Sequence, residues 1–281
     1  MPCSGQRDRV ELEYGVFPMK IIIEKWYKRL KFPREYDIEF YNALEGFVPS
    51  DPGTVEEYST DENDFRANLM YHLYFCESLS EKYKERKIPE KILLDTLSDI
   101  VIWTEVCRDI HGVLGLRNSS WLKKHLSFKL FRLGRLQFCL GKFEKNYETI
   151  GVQAGEPMLE VHIPEGEPLR ECEVERSFAL ANEFFEKYFQ TYGYRFFTCH
   201  SWLLDKENTL IKEGSNIRKF LDRFTELSRE ESDAILRYTF RFDATRENLA
   251  SFEPKSSLAR SVYAAVLEGK VFYEVFGFIK K

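Results

Sequence analysis

The stretch Val161–Cys172 reads VHIPEGEPLREC, and the architecture can be worked out from it in both directions. Just upstream, Leu159, Val161 and Ile163 alternate with Met158, Glu160 and His162, the two-residue period of a half-buried strand. That strand runs out at Ile163-Pro164. Gly166 permits a tight turn, and Pro168 opens the next helix. Val174, Phe178, Ala181, Phe185 and Tyr188 then stripe one helical face. Tyr194–Leu204 is apolar on both faces until Asp205, as a central strand would be. Strand, helix and strand in that order predict a parallel pair joined by a right-handed crossover.

Outward from this unit the pattern extends to both termini. Leu136, Phe138 and Leu140 alternate with Arg135, Gln137 and Cys139 and predict a strand, with Gly134 marking a bulge. Leu236, Tyr238, Phe240 and Phe242 alternate in the same way and predict another. Ser215 and Ser256 are N-caps for helices over 215–224 and 256–267, and Gly269 ends the second. Val271–Ile279 is aromatic and β-branched and predicts a last strand, one that at a sheet edge would pair with another chain. Before residue 126 the period is helical. Ile22, Ile23, Trp26, Tyr27 and Leu30 form one stripe; Phe65, Leu69, His72, Cys76, Leu79 and Tyr83 form a second. Leu93, Leu97, Ile100, Thr104 and Cys107 form a third, between Pro89 and His111-Gly112. The fold class is therefore α+β, a helical N-terminal domain over 1–125 followed by a mixed-sheet α/β domain over 126–281.

Composition narrows the function classes. The chain has 281 residues, 43% apolar and 31% charged, which suits a packed core and neither a disordered chain nor a membrane bundle. Lys and Arg number 41 against 46 Asp and Glu, a net charge of −5, so the field that holds proteins to phosphate backbones is missing and nucleic acid is not expected as a partner. The six cysteines form no CxxC pair and no metal-finger spacing, and no metal site is expected. Met1–Gly15 is polar, no apolar run reaches a membrane span, and a cytoplasmic protein with reduced thiols is the expectation. Asp95 and Asp99 share a helical face with Glu105 and Asp109 nearby, but no ExxH partner accompanies them, and a solvated face is expected.

Two places concentrate chemistry. In the first, the free N–H groups of the helix after Pro168 face whatever lies beyond the strand end, and such a terminus attracts anions, phosphates above all. Arg170 adds positive charge there, whereas Glu165 and Glu167 add negative charge; an ordinary capped strand-to-helix turn accounts for the same pattern. His162 lies beside Glu160 on one strand face, an imidazole–carboxylate pair suited to general-base work or to a structural hydrogen bond. The second place is Cys199–Asp205, CHSWLLD, at the end of the presumed central strand, where open α/β sheets bind ligands. Neighbours in a strand point to opposite faces, so His200 cannot activate Cys199 or Ser201, and covalent catalysis is not expected. Trp202 is a core residue or a pocket wall.

The order of pieces resembles the N-acyltransferase-like proteins of gut Firmicutes, which pair an N-acyltransferase N-terminal helical domain with a C-terminal domain of GNAT type. The resemblance rests on KIPEKILLDTLSDIVIW (Lys87–Trp103), LFRLGRLQF (Leu130–Phe138), HIPEGEPL (His162–Leu169), CHSWLLD (Cys199–Asp205) and SNIRKF (Ser215–Phe220), and covers most of the chain. It implies a GNAT-like fold in which two parallel strands splay apart and the pantetheine arm of acetyl-CoA or another acyl-CoA adds along one of them. Met158–Ile163 would be that strand, with the pyrophosphate on the loop Glu165–Glu171. The cofactor-binding candidates are Ile163, Glu165, Gly166, Glu167, Leu169 and Arg170. A small-molecule amine would attack the thioester directly. Base candidates are His162, Glu160 and His200; Tyr273 or Tyr263 would be the acid; Trp202 and Asn216 would meet the acceptor. The loop departs from the family's Q/R-x-x-G-x-G/A, since PEGEPLRE has one glycine and two acids beside the phosphate site. That departure keeps open a non-catalytic GNAT-like module binding a small ligand or peptide, and the aromatic last strand and the helical region keep open an interaction protein. The acyl group, the acceptor and the oligomeric state are not legible.

Overall fold

In a computed structural model, the structure describes residues 18–59, 61, 63–117, 119–241 and 243–281. The chain divides between Arg132 and Leu133 into two compact units.

The first unit is helical. Helix α1 spans residues 18–29, α2 Asp37–Gly46, α3 Phe65–Glu85, α4 Glu90–His111 and α5 Ser119–Leu126. The apolar stripes form its core: Ile23, Trp26, Leu69, Cys76, Leu79, Leu97 and Ile100 are all buried. Helix ends follow from local chemistry. Asp64 caps α3 by accepting from the Ala67 amide at 3.0 Å. Pro89 is the N-cap of α4, and Gly112 ends it at φ +67°, a conformation that costs glycine little.

The carboxylate face expected to be solvated is split by the fold. Asp95 pairs with Lys91 at 2.5 Å at the surface. Asp99 is buried, and one of its oxygens lies 3.0 Å from Nε2 of the fully buried His125. The spacing of the acids gave no hint of this, because the partner comes from α5, 26 residues away.

The second unit is built on a mixed sheet, whose first strand begins just before the division. Strands β1 (Leu130–Leu133), β2 (Leu136–Lys142), β3 (Pro157–His162), β4 (Phe196–Ser201), β5 (Thr225–Glu231) and β6 (Tyr273–Lys280) lie in the order β1-β2-β3-β4-β6-β5. Gly134-Arg135 is the two-residue turn between β1 and β2 and not a bulge; its φ of +76° and the absence of a Cβ both matter, since a Cβ would meet Ser177 Oγ at 2.7 Å. Helix α6 (Glu171–Tyr188) connects β3 to β4, which pair in parallel as expected of a strand–helix–strand unit. The N-caps Ser215 and Ser256 open α7 (Asn216–Leu221) and α9 (Ser257–Leu267), accepting from Arg218 N at 3.1 Å and Ala259 N at 3.0 Å.

Two further expectations fail in this unit. The stretch expected as a strand near Leu236 is the helix α8 (Ala234–Thr239), with Phe242 outside the described residues. Ala234, Ile235 and Leu236 are consecutive and all buried in a small core with Trp202, Val262 and Phe272, which a two-faced strand packed on one side could not achieve. The C-terminal strand β6 is not an edge. It is paired with β4 on one side and β5 on the other, so it offers no open ladder to another chain.

Asp99→Ala should leave the His125 nitrogen without its buried acceptor or donor and destabilise the protein by about 2–3 kcal/mol. Urea unfolding checks this; a cost under about 0.5 kcal/mol would show that the pair is dispensable.

Candidate functional site

Cross-strand partners share a face of a sheet. The registers Gln137↔His162, Cys139↔Glu160 and Glu160↔Thr198, with His200↔Phe276, therefore put Glu160, His162, Thr198 and His200 on one face. Leu159, Val161, Phe197 and Cys199 lie on the other, under α6, where the Phe178 ring contacts Phe138 and Phe197.

The parallel pairing of β3 with β4 is short. It consists of Leu159↔Phe197 and Glu160↔Thr198. Both strands continue past it, β3 to His162 and β4 to Ser201. In that stretch each is held from outside, Val161 and His162 by Phe138 and Gln137 of β2, and Cys199, His200 and Ser201 by β6. The two central strands thus part at their C-terminal ends.

The loop 163–170 sits beyond this parting. Pro164 and Leu169 are buried and anchor its flanks, while Glu165, Gly166, Glu167 and Pro168 are exposed. Gly166 has φ +109°, a conformation favouring glycine, and a Cβ there would meet nothing within 4 Å. Arg135, a buried residue, donates from Nε to Glu167 O at 2.6 Å and from Nη1 to Pro164 O at 2.8 Å. Arg170 is the N-cap of α6 and gives no side-chain cap. Glu171 in the first turn is held by Lys219 at 2.9 Å and lies 3.7 Å from Arg223, and these cations lower its pKa.

Of the residues singled out from sequence, Glu160, His162 and His200 share one face of the sheet, and Glu160 and His162 are in contact. His162 Nε2 lies 3.3 Å from Glu160 Oε2, each side chain about 29% exposed. The Glu160 side chain lies over Gly141 of β2, where a Cβ would meet its Oε1 at 2.5 Å. Tyr192 Oη bridges the same two strands, 2.5 Å from Gly141 O and 3.0 Å from Met158 O. His200 is half exposed and Nε2 lies 3.3 Å from Glu230 Oε1. Tyr273 is opposite Glu231 on the other face, with the Arg229 guanidinium 3.9 Å above its ring. Trp202 is buried in the core with Ala234 and Val262, and Tyr263 packs against that core. Asn216 is exposed at the start of α7.

The second motif offers no nucleophile. Cys199 is buried, and burial pushes its thiol up to about 12. Ser201 Oγ accepts from Leu203 N at 3.1 Å and serves as a cap. Sequence reasoning missed Arg135, Glu230 and Gly141 as neighbours of the site. Only the alternation around Arg135 was visible, and alternation does not say which loop a side chain reaches.

The helical unit has a cavity of about 670 Å³ lined by Phe47, Tyr58 and Tyr71 together with Asp51, Glu57, Asp61 and Asp64. Each acid already accepts from a nearby backbone amide, those of Gly53, Thr54, Asn63 and Ala67 in turn, so the acids are accounted for as turn and capping groups.

No group of His, Cys, Asp and Glu among the described residues is arranged to hold a metal ion. No helix among them is long and apolar enough to cross a membrane.

The comparisons with known proteins agree with this architecture. A search of curated proteins finds no match. Among solved structures, an acyltransferase mutant in complex with octanoyl-CoA is similar at TM-score 0.76 and 23% identity, covering 92% of this chain and 87% of that one. An acyltransferase in complex with CoA and 10C-teicoplanin is similar at TM-score 0.75 and 23% identity over the same shares. A third, in complex with decanoyl-CoA, is similar at TM-score 0.72 and 26% identity, covering 92% and 86%. The N-acyltransferase N-terminal domain model matches residues 23–128, and the GNAT-like C-terminal domain model matches residues 130–279. The chain therefore belongs to the GNAT-like family of N-acyltransferases, with the helical N-terminal domain of that family preceding its mixed-sheet domain.

Proposed function

We propose that this protein is an acyl-CoA-dependent N-acyltransferase that passes an acyl group to a small-molecule amine by direct attack. The observation that carries the reading is the parting of β3 and β4 after Glu160 and Thr198, with a glycine-bearing loop and a helix N-terminus just beyond. An extended pantetheine arm can lie beside a strand whose inner neighbour has moved away. Its pyrophosphate would meet the loop Ile163–Arg170, with Gly166, Leu169 and the first amides of α6 as donors and Glu165 and Glu167 at the rim. The related structures support this choice of cosubstrate, since they hold octanoyl-CoA, decanoyl-CoA and CoA, and one also holds 10C-teicoplanin. A bacterial origin in Firmicutes belongs to the same proposal and is supported by the five sequence segments quoted above.

The chemistry follows from the shared face. The amine nitrogen bonds to the thioester carbonyl carbon, and the C–S bond breaks as the tetrahedral adduct collapses. His162 takes the proton that the nitrogen sheds. Glu160, 3.3 Å away, orients the imidazole and stabilises its charged form. The imidazolium then returns the proton to the departing thiolate, so protons balance without a separate acid. His200 with Glu230 is the alternative base on the same face. Tyr273 lies across the sheet and takes no part in this scheme. A binding module without turnover would need the loop and not the paired imidazole and carboxylate.

Binding, kinetics and thiol labelling test this reading. Acyl-CoA should raise the melting temperature by mass action, and Gly166→Val, strained at φ +109°, should weaken acyl-CoA binding by about tenfold or more with the fold intact. An unchanged affinity would move the phosphate site elsewhere. In steady-state kinetics, His162→Ala should lower kcat by about 10²–10³ with acyl-CoA affinity preserved, and Gly141→Ala, which displaces Glu160, should lower kcat by about tenfold. Undiminished turnover in His162→Ala would transfer the base role to His200. Iodoacetamide on the native protein at pH 8 should modify exposed Cys172, leave buried Cys199 intact and spare activity in a Cys172→Ala background. Rapid labelling of Cys199 with loss of turnover would instead point to a covalent route.

A further inference from the structure

The phosphate loop proposed above carries Glu165 and Glu167 where a pyrophosphate would lie, and like charges there oppose binding. Something in the fold must offset them. A buried cation is fixed against the loop. Arg135 sits at the tight turn between β1 and β2, buried, with its guanidinium bonded to the carbonyls of Pro164 and Glu167. Its other end is fixed as well. Its backbone amide donates to Ser177 Oγ at 2.8 Å, Leu136 N donates to the same oxygen at 3.3 Å, and that hydroxyl donates to Glu173 O at 2.7 Å in the first turn of α6. A hydroxyl has one proton and two lone pairs, and all three are used. The loop and the helix that follows it are thereby tied to one residue.

We propose that Arg135 is the positioning residue of the acyl-CoA phosphate site, an inference that rests on the acyl-CoA reading above. Two effects follow from its geometry. In a trans peptide the C=O and the next N–H point in opposite directions. Drawing the Pro164 carbonyl inward to Arg135 turns the following N–H the other way. The second clamped carbonyl precedes Pro168, which has no N–H, so this bond removes no donor from the loop. The planar fork of arginine reaches both carbonyls from one side chain, which a lysine ammonium cannot match. The second effect is electrostatic. A guanidinium bonded to two carbonyls of the loop sets a positive charge against it, and this charge offsets the two glutamates. A chain lacking the second small residue of the family loop thus shapes that loop from outside, by a side chain 29 residues upstream of Pro164.

The test compares acyl-CoA with acyl-pantetheine, which lacks the pyrophosphate, as donors to one amine. In Arg135→Gln and Arg135→Lys, KM for acyl-CoA should rise about tenfold or more while KM for acyl-pantetheine and kcat stay within about twofold. Because Arg135→Gln removes a buried group and can fail to fold, a Glu165→Gln/Glu167→Gln double variant is measured beside it. With Arg135 retained, KM for acyl-CoA should fall about threefold and that for acyl-pantetheine should not change. An equal loss for both donors in the Arg135 variants would make Arg135 a general stability residue and overturn the inference. An unchanged KM for acyl-CoA in the double variant would also overturn it. Wild-type protein that neither binds nor turns over acyl-CoA would overturn the parent reading and this inference together, and is distinguishable because it requires no variant.

Discussion

Parallel strands share hydrogen bonds only while they run side by side, and in this protein β3 and β4 do so for two residue pairs. The rest of the site depends on that short run. Past Glu160 and Thr198 each strand is claimed by its outer neighbour, β3 by the antiparallel β2 and β4 by the antiparallel β6. Sheet twist rotates adjacent strands relative to one another, and two halves each anchored to its own antiparallel partner diverge without local strain. The opening is thus a property of the strand order, and no loop needs to move to create it.

The groups around the opening are arranged by the same registers. A period of two puts Glu160 and His162 on one face and leaves Leu159 and Val161 to pack under α6. His200 reaches that face from the other side of the parting. Cys199 turns away from it, into the core, where loss of hydration holds its thiol protonated. The fold therefore presents imidazoles and carboxylates and withholds the thiol, which suits proton transfer during direct attack better than a covalent relay. At the strand end, the loop is fixed at its flanks by buried Pro164 and Leu169 and from beneath by Arg135, and its tip, Glu165–Pro168, meets solvent.

Much of this was legible in the residues, for reasons that also explain the rest. Long amphipathic stripes such as Phe65–Tyr83 declare a helix because burial of one face is repeated over many turns. The strand–helix–strand order around VHIPEGEPLREC was legible because β3 is half-buried and α6 carries one apolar face. Strand β5 was not, since TELSREE is polar on both faces and is held as an edge through its backbone pairing with β6. Helix α8 was misread because only Leu236–Thr239 of the alternating stretch lies in it, too short a run to separate a strand from one helical turn, and burial of three consecutive residues decided the matter. Asp99 gave the impression of a surface acid because its partner, His125, is remote in sequence. Arg135 could be placed beside a turn, but the two carbonyls it binds are tertiary facts. The grouping of His162 with Glu160 followed from strand periodicity, while Tyr273 ended on the opposite face because strand registers across the sheet cannot be read from one chain.

The most direct measurement is a crystal structure of the protein with a non-hydrolysable acyl-CoA analogue. The account predicts the pantetheine arm between Val161–His162 and Cys199–Ser201, the pyrophosphate over Glu165–Arg170, and the acyl carbonyl within reach of His162. An analogue bound away from the parting of β3 and β4, or a protein that excludes it at saturating concentration, would contradict the account.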